Sequence, residues 1–407
     1  MLNKFYLIVI AITLIGVAIG RFPKMKMNRA TITLAGVTIL LGFGAITTDV
    51  AFKLIDFNTI ALLFSMMILN ANLKISGFFS IVNKFILKYA KTPKKLLIFI
   101  IFFSGILSAI FLNDTIVLIL TPLILYSLKQ LKINPIPFIL AIPLSSNIGS
   151  MATITGNPQN MIIGISSKIP YTKFLLYLFF PSFFGLVLTY FLLLFIYKKE
   201  FEKGKFEKVE IPKERVFKPL LIKTLISVLI LLIGFFSGAN VVMTALFSIS
   251  ILLITRRIKP NRVFSEIDWS LLVFFAGLFI VTGTLNEIGF VEKVWDFSKD
   301  YFFKGIGFFS FSTLIISNLI SNVPAVLLLK PFIPLMPQTF FKWLLLAMAS
   351  TLAGNLTLIG SVANLIVAEE AKKDGYEITF WAYFKAGFPI TIFTLIFGIV
   401  YFKIIGG

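Results

Sequence analysis

Two polar segments interrupt apolar runs of the sequence that are long enough to cross a membrane. The first, TITGNPQN at 153–160, lies within the apolar run 136–166. Gly156 and Pro158 disfavour a continuous helix there, because glycine is conformationally free and proline lacks a backbone donor. A break would free carbonyl oxygens that can bind a cation, and Asn157 and Asn160 would offer amide groups to an oxygen-rich ligand. The segment therefore predicts a binding site on a broken helix.

The second polar segment, TLIGSVAN at 357–364, lies within the apolar run 341–369. It repeats the glycine and the final asparagine of the first segment as Gly360 and Asn364. A proline kink between packed helices is the alternative interpretation of the first segment. A kink alone need not recur, so the recurrence favours a functional break in both places.

Polar tips interrupt two other apolar regions. FLNDTIVLILTP at 111–122 divides the region 96–128, and SNVP at 321–324 divides 306–336. Asn113, Asp114 and Thr115 are good N-cap residues, so the pattern predicts two short helices meeting at a tip, the second starting at Ile116. A helix N-terminus directs N–H groups and a positive dipole end into the cavity that it faces. Asp114 is predicted to be a lone acid near the membrane midplane, either functional or a plain cap.

The composition predicts a polytopic membrane protein. Of the 407 residues, 58% are hydrophobic and 14% charged, and apolar windows of about 20 residues recur along the chain. The Lys and Arg residues lie in short loops, which fits topology signals beside a lipid bilayer and not nucleic-acid binding. Because the chain has no Cys and no His, disulfides, thiolate nucleophiles and histidine-held zinc are excluded.

The elements that would position these residues occur twice. DFNTIALLFSMMILNANLKISGF at 56–78 aligns with DWSLLVFFAGLFIVTGTLNEIGF at 268–290, and the tip and broken-helix segments follow in the same order, at offsets of 212, 209 and 204 residues. We predict a first transmembrane repeat at 1–197, with its tip near 113 and its broken helix near 149–160. A cytoplasmic linker at 198–219 precedes the second repeat at 220–407, with its tip near 322 and its broken helix near 354–364.

Charge predicts that the second repeat is inverted. The segment 79–95 carries five Lys and no acid, whereas its counterpart at 287–304 mixes four acids with three Lys. By the positive-inside rule the first is cytoplasmic and the second external, and the basic segments 21–29 and 256–262 also fit the cytoplasm. The expected fold is an all-α polytopic protein of the cell membrane with two inverted-topology repeats, each of five transmembrane helices plus one re-entrant hairpin, and with both termini extracytoplasmic.

The paired tips and the broken spans SNIGSMATITGNPQN and STLAGNLTLIGSVANLIVAE together resemble the ion transporter superfamily. That group contains citrate and divalent-anion:sodium symporters, arsenite-efflux permeases and a class of sodium/proton antiporters. The resemblance covers nearly the whole chain. It implies ion-coupled secondary transport of a small anion or oxyacid by alternating access, with Na⁺ or H⁺ as the coupling ion and no other cofactor. Members of the family often form homodimers.

The resemblance also implies site residues. In that family the tips and the glycine of each broken span form cation sites, with sodium as the candidate ion. Carried over, the first cation site uses Ser108, Asn113 and Gly156, the second uses Ser317, Asn322 and Gly360, and Asp114 is a further coupling-ion ligand. The substrate is expected to contact eight residues: Asn113, Thr115, Asn157, Asn160, Ser321, Asn322, Thr357 and Asn364.

Two positions depart from the dicarboxylate carriers, whose tips read Ser-Asn-Thr. Asp114 places a negative charge where a dicarboxylate would bind, and Val323 removes a hydroxyl donor. Both changes favour a smaller or neutral oxyacid such as arsenite. An arsenite/antimonite efflux permease and a sodium/proton antiporter are therefore alternatives to anion symport.

An intramembrane enzyme is the alternative from a different class, and the residues disfavour it. Intramembrane metalloproteases need His ligands, and aspartyl-type enzymes need a second carboxylate beside Asp114. A channel would need a continuous polar lining, whereas both broken spans end in apolar flanks. The predicted function is transport without enzymatic activity.

Overall fold

The computed structural model describes residues 2–20, 26–202, 204, 206, 216–254, 258–302 and 305–406. Over these ranges the chain forms twenty α-helices and three short 3₁₀ helices, with no strand. The prediction of an all-α protein is confirmed. Residues 203, 205 and 207–215 of the predicted linker, and parts of the basic segments 21–29 and 256–262, lie outside the described residues.

The helices of the first half precede the linker and those of the second half follow it. The first ten are α1 (Leu2–Ile19), α2 (Arg29–Gly42), α3 (Thr48–Leu54), α4 (Phe57–Ser76), α5 (Phe78–Tyr89), α6 (Pro93–Ile110), α7 (Asn113–Gln130), α8 (Ile136–Met151), α9 (Pro158–Ser167) and α10 (Tyr171–Ile196). The second ten are α11 (Lys218–Phe236), α12 (Val241–Leu253), α13 (Pro260–Phe264), α14 (Trp269–Glu287), α15 (Phe290–Phe302), α16 (Ile306–Ile320), α17 (Asn322–Leu329), α18 (Thr339–Leu356), α19 (Val362–Lys373) and α20 (Phe380–Gly406).

Helix boundaries recur between the halves because the same local signals recur. The Asp56 side chain accepts a hydrogen bond from the Thr59 N–H at the start of α4, and Asp268 caps α14 in the same way. Both helices are followed by a left-handed glycine, Gly77 at φ +82° and Gly289 at φ +69°. Only glycine adopts this conformation without steric cost, so it ends a helix sharply.

Six of the described helices are long and apolar enough to cross a membrane: α4, α6, α10, α11, α14 and α20. The chain is therefore a multi-pass membrane protein. The six include α6, which the sequence analysis assigned to a re-entrant hairpin, and they omit α1, α2 and α12, which are shorter apolar helices. The broken spans are also omitted, since each divides its length between two helices.

Eighteen of the described helices pack as two groups, and the other two, α5 and α15, contact both. A flanking group (α1–α4 and α11–α14) contains the pairs α2 against α14 and α4 against α12, which are each other's counterparts. A central group (α6–α10 and α16–α20) contains α8 against α18 and α10 against α20. The predicted tips and broken spans all belong to the central group.

Counterpart helices meet with their ends reversed. The ring centroids of Phe180 and Tyr401 lie 5.8 Å apart and those of Phe184 and Phe397 lie 4.1 Å apart, so later positions of α10 meet earlier positions of α20. The two helices therefore run antiparallel. A similar contact joins α4 and α14, another pair of helices at equivalent positions in the two halves. Lys74, in the last turn of α4, forms an ion pair of 2.5 Å with Glu266, two residues before the cap of α14.

Candidate functional site

The first tip is formed by the end of α6 and the start of α7. The sequence predicted a helix starting at Ile116 and capped by Asn113, Asp114 and Thr115, and this was wrong: α7 begins at Asn113 and no side chain caps it. The Asn113 N–H instead donates to the Gly156 carbonyl at 3.0 Å. A carbonyl from the broken span thus replaces the cap, which local sequence alone could not indicate.

Gly156 is required by close backbone packing and not by its backbone conformation. A Cβ atom on it would lie 2.5 Å from the Ser150 carbonyl oxygen and 2.7 Å from that of Ser108. No side chain fits at those distances. The structure thus brings Ser108, Asn113 and Gly156 together, as the predicted first cation site requires.

One oxygen of this cluster lacks a partner. The Asn113 amide nitrogen donates to Asn147 Oδ1 at 3.0 Å, but the buried Asn113 Oδ1 has no hydrogen-bond partner among the described residues. The Ser108 and Ser146 hydroxyls lie 2.7 Å apart. Carbonyl and hydroxyl oxygens are the ligands that hard cations prefer.

The first broken span leaves helix geometry between Met151 and Pro158, and its asparagines hold the break together. The Asn157 side chain caps α9 by accepting from the Asn160 N–H at 2.9 Å. The Asn160 amide nitrogen lies within 3.2 Å of the carbonyl oxygens of Ser150 and Met151 and 2.9 Å from that of Thr153. The described contacts of Asn160 therefore stabilise the freed carbonyls of α8, although its own Oδ1 is unpartnered.

In the second broken span an asparagine amide contacts freed carbonyl oxygens at the same sequence spacing. The Asn364 amide nitrogen lies 2.6 Å from the Gly354 carbonyl oxygen and 3.0 Å from that of Thr357. These residues precede it by ten and seven positions, as Ser150 and Thr153 precede Asn160.

The second tip joins α16 to α17 and differs from the first. Ser317 Oγ lies 3.0 Å from Asn322 Oδ1 and 3.1 Å from the Ser350 carbonyl, so two predicted ligands of the second cation site contact each other. Ser321 has φ +80° and ψ 152°, a conformation almost confined to glycine, and such strain is typical of functional sites.

Gly360 packs against a residue that the sequence analysis missed. A Cβ atom on Gly360 would lie 2.6 Å from the Asn318 amide nitrogen. Asn318 donates to the Ala353 carbonyl at 2.8 Å and lies 3.1 Å from the Thr357 hydroxyl. Thr357, predicted to contact substrate, is thus bound to the second tip. Ser317 and Asn318 are adjacent in the sequence, but only Ser317 was predicted to be a site residue.

Asn147, also missed by the sequence analysis, joins the two halves. Its Oδ1 lies 3.0 Å from Asn113 Nδ2 and 3.4 Å from Ser361 Oγ. Its Nδ2 lies 2.8 Å from Asn355 Oδ1 and 3.3 Å from Asn364 Oδ1. One buried amide therefore contacts the first tip and the second broken span at once.

The contacts between the two halves include two that are equivalent under the repeat. Asn157 lies 3.3 Å from the Thr351 hydroxyl, and Ser361 contacts Asn147. At the repeat offset of the broken spans, Ser361 is the counterpart of Asn157 and Thr351 the counterpart of Asn147. Each broken span thus contacts the equivalent position of the other half.

A cavity of about 1030 Å³ separates the tip of α7 from the flanking group. Asp114 and Thr115, both half-buried, line one wall, while Asn113, Asn157 and Asn160 are buried behind it. Among the described residues, six charged side chains line the cavity, four acidic and two basic: Asp114, Glu266, Asp268, Glu369, Arg29 and Lys74.

Asp114, predicted as a lone acid near the membrane midplane, lines the cavity together with two other charged residues. These are Arg29, at the start of α2, and Asp268, the cap of α14. Arg29 also donates from Nε to the Val17 carbonyl at 3.2 Å. Both partners come from the flanking group, far away in sequence, so only the packing of the two groups reveals them.

Comparison with known proteins identifies the family. A sequence model described as citrate transporter matches residues 7–353. The chain belongs to the citrate transporter family. It is therefore a secondary transporter, and the family to which it belongs lies within the superfamily that the tips and broken spans resemble.

The names of two relatives agree with the assignment as a transporter. A silicon efflux transporter, LSI3, of Oryza sativa subsp. japonica is 28% identical over 93% of this chain and 93% of its own length. A putative transporter, arsB, of Dictyostelium discoideum is 28% identical over 94% of this chain and 88% of its own.

The YdaH transporter of Alcanivorax borkumensis has a TM-score of 0.60 at 14% identity, covering 99% of this chain and 97% of that one. MtrF of Neisseria gonorrhoeae, described as one of a class of antimetabolite efflux pumps, has a TM-score of 0.63 at 13% identity, covering 98% of this chain and 94% of that one. At these identities the two structures support the fold alone.

Proposed function

We propose that this protein moves small neutral oxyacids out of the cell, coupled to an ion gradient, and carries out no enzymatic reaction. The observation that carries the proposal is the charge of the described part of the cavity lining, which has four carboxylates against Arg29 and Lys74. A polyanion such as citrate would enter this field at an electrostatic cost. An uncharged solute such as arsenous or silicic acid would not.

The relatives support the same substrate class. One is named for silicon efflux and another as arsB. Both names are consistent with small hydroxylated acids, and such solutes need hydrogen-bond partners rather than paired cations. The Thr115 hydroxyl and the Asp114 carboxylate, which line the cavity, supply a donor and acceptors of this kind.

Inverted repeats would give the transporter its two alternating states. The antiparallel packing of α10 on α20 supports this architecture, as does the ion pair between the end of α4 and the start of α14. We propose five spans and one re-entrant hairpin in each repeat. In this architecture the tips and broken spans lie near the bilayer midplane.

The proposed orientation puts the linker in the cytoplasm of the cell and the termini outside. The Phe206 N–H donates to the Lys91 carbonyl at 3.0 Å, and the Phe217 N–H donates to the Ser76 carbonyl at 3.1 Å. The linker thus adjoins the basic segment 79–95, which the positive-inside rule assigns to the cytoplasm. The Gly406 carbonyl, at the end of α20, accepts a hydrogen bond from Gln338, which precedes the start of α18. In the proposed topology this contact lies on the side of the membrane opposite the linker.

Coupling is proposed to act through the first tip. The unpartnered Asn113 Oδ1, near Ser108 and Gly156, supports a sodium site, and Asp114 beside it would hold a second cation or the coupled proton. Arg29 would neutralise Asp114 when neither ion is bound, because an unpaired charge at this depth is costly. A change of charge at Asp114 would then accompany each transport cycle.

Counterflow in proteoliposomes tests the substrate class without a gradient. The purified protein is loaded with unlabelled solute, and exchange is followed for arsenite, silicic acid, citrate, succinate and sulfate. We expect exchange of arsenite or silicic acid and none of the di- and tricarboxylates. Exchange of citrate or succinate alone would contradict the proposal.

A further inference from the structure

Helix α4 contributes one face to the cavity, which the tip of α7 also lines. The α4 residues that line the cavity are Met67, Asn70, Ala71 and Lys74. Their spacing of three and four positions places them on one side of the helix. Met67 and Ala71 are apolar, and Lys74 is held by Glu266 at 2.5 Å. Asn70 is the neutral polar residue of this face.

The Asn70 amide has no partner within the described part of the chain. The residue is 1% exposed, and neither its Nδ2 nor its Oδ1 makes a hydrogen bond. A buried amide without partners is destabilising, and almost all buried polar groups in proteins are paired. An apolar side chain would fill this position at lower cost, so packing alone does not explain the asparagine.

Asn72, two positions later on the same helix, provides the contrast. It is also buried, at 2% exposure, but its Nδ2 donates to the Ile68 carbonyl at 2.8 Å. Its partner is the preceding turn of its own helix. Asn72 therefore has an ordinary structural role, and Asn70 does not.

We propose that Asn70 binds the transported solute from the α4 side, opposite Asp114 and Thr115. The cavity that Asn70 lines is where a partner for its amide can enter. A neutral hydroxyl group both donates and accepts a hydrogen bond, and an amide offers one group of each kind. A carboxylate has no proton for the amide oxygen, and a metal ion has no acceptor for the amide nitrogen. Asn70 thus selects protonated, hydroxylated solutes, an inference that rests on the proposed function.

The test compares Asn70→Leu with Asn72→Leu in counterflow of silicic acid and of arsenite. Asn70→Leu should raise KM about tenfold, roughly the effect of losing one or two hydrogen bonds to the solute. Its thermal midpoint should be unchanged or higher, because an unpaired buried amide is removed. Asn72→Leu should lower the midpoint and leave KM unchanged. An unchanged KM in Asn70→Leu, or an equal rise in both variants, would overturn the proposal.

A second measurement works even if the wild type transports none of these solutes. Since the chain has no Cys, Asn70→Cys introduces a single thiol, and a small charged thiol reagent reports its access to the cavity. Silicic acid should slow labelling, which would support binding at this position even if the proposed export were wrong. Failure of the reagent to label, or labelling at the same rate with silicic acid present, would count against Asn70 as a solute contact.

Discussion

At the residue scale, Asn147 is a buried amide that contacts both halves of the candidate site. It is 2% exposed and lies within hydrogen-bond distance of Asn113, Asn355, Ser361 and Asn364. Removing it would leave several buried polar groups unpaired, and each such group costs about 1–3 kcal/mol.

Asn147→Leu should therefore lower the free energy of unfolding by about 3 kcal/mol or more. The matched control is Asn83→Leu, because Asn83 is also buried but has a single side-chain partner, Ser127, at 3.3 Å. That change should cost about 1 kcal/mol. Thermal unfolding of both variants in the same detergent measures the difference. Equal midpoints would show that the contacts of Asn147 add little stability.

The sequence predicted some of the site at this scale and missed the rest for a definable reason. Asn113 and Gly156 were predicted from motifs, and the structure brings them together. Asn147, Asn318 and Arg29 were missed, because each acts through partners on another helix. A buried asparagine in an apolar segment has no local signature that separates a structural amide from one that joins two halves.

At the element scale, the contact between a hairpin tip and a broken span depends on glycine. Gly156 has no room for a methyl group, because a Cβ atom added to it would collide with the carbonyl oxygens of Ser150 and Ser108. Either the tip or the break would have to move, and both positions define the predicted cation site.

Gly156→Ala should reduce counterflow at least about tenfold, because a displacement near 1 Å at a binding site has effects of this size or larger. Gly42→Ala is the matched control, since a Cβ atom there meets nothing within 4 Å. The rates are compared at equal amounts of folded protein in the vesicles. Transport by Gly156→Ala at the rate of Gly42→Ala would mean that the tight contact is not needed for transport.

Helix boundaries were predictable where the signal is local. The caps at Asp56 and Asp268 and the glycines that follow both helices are visible in the sequence. The start of α7 was misplaced because a distant carbonyl, that of Gly156, accepts from Asn113. A tertiary contact replaced the expected side-chain cap.

At the scale of the whole molecule, the proposed inverted arrangement predicts the side on which each loop lies. Lys91 and Lys299 belong to counterpart segments on opposite faces of the proposed fold. In this Cys-free chain, Lys91→Cys should react with an impermeant thiol reagent only from the cytoplasm, and Lys299→Cys only from outside. Labelling is measured in intact cells and in inside-out vesicles. Reaction of both from one side would rule out inversion.

The proposed coupling to an ion gradient requires that a group change its charge or its bound ion during transport. Asp114 is the acidic residue of the first tip, and it lines the cavity together with Arg29 and Asp268. Asp114→Asn keeps the size of the side chain and removes the charge. Solute exchange can then continue in Asp114→Asn, but an ion gradient can no longer drive transport through the charge of this side chain.

Gradient-driven transport by the wild type and by Asp114→Asn is the most direct test of the account. Inverted vesicles are loaded so that a proton or a sodium gradient is imposed, and accumulation of arsenite or silicic acid is measured beside counterflow. Asp49→Asn, at an exposed acid on α3, is the control. We predict that the wild type and Asp49→Asn accumulate solute, while Asp114→Asn retains counterflow and loses accumulation. Accumulation by Asp114→Asn at the wild-type level would contradict coupling through this carboxylate.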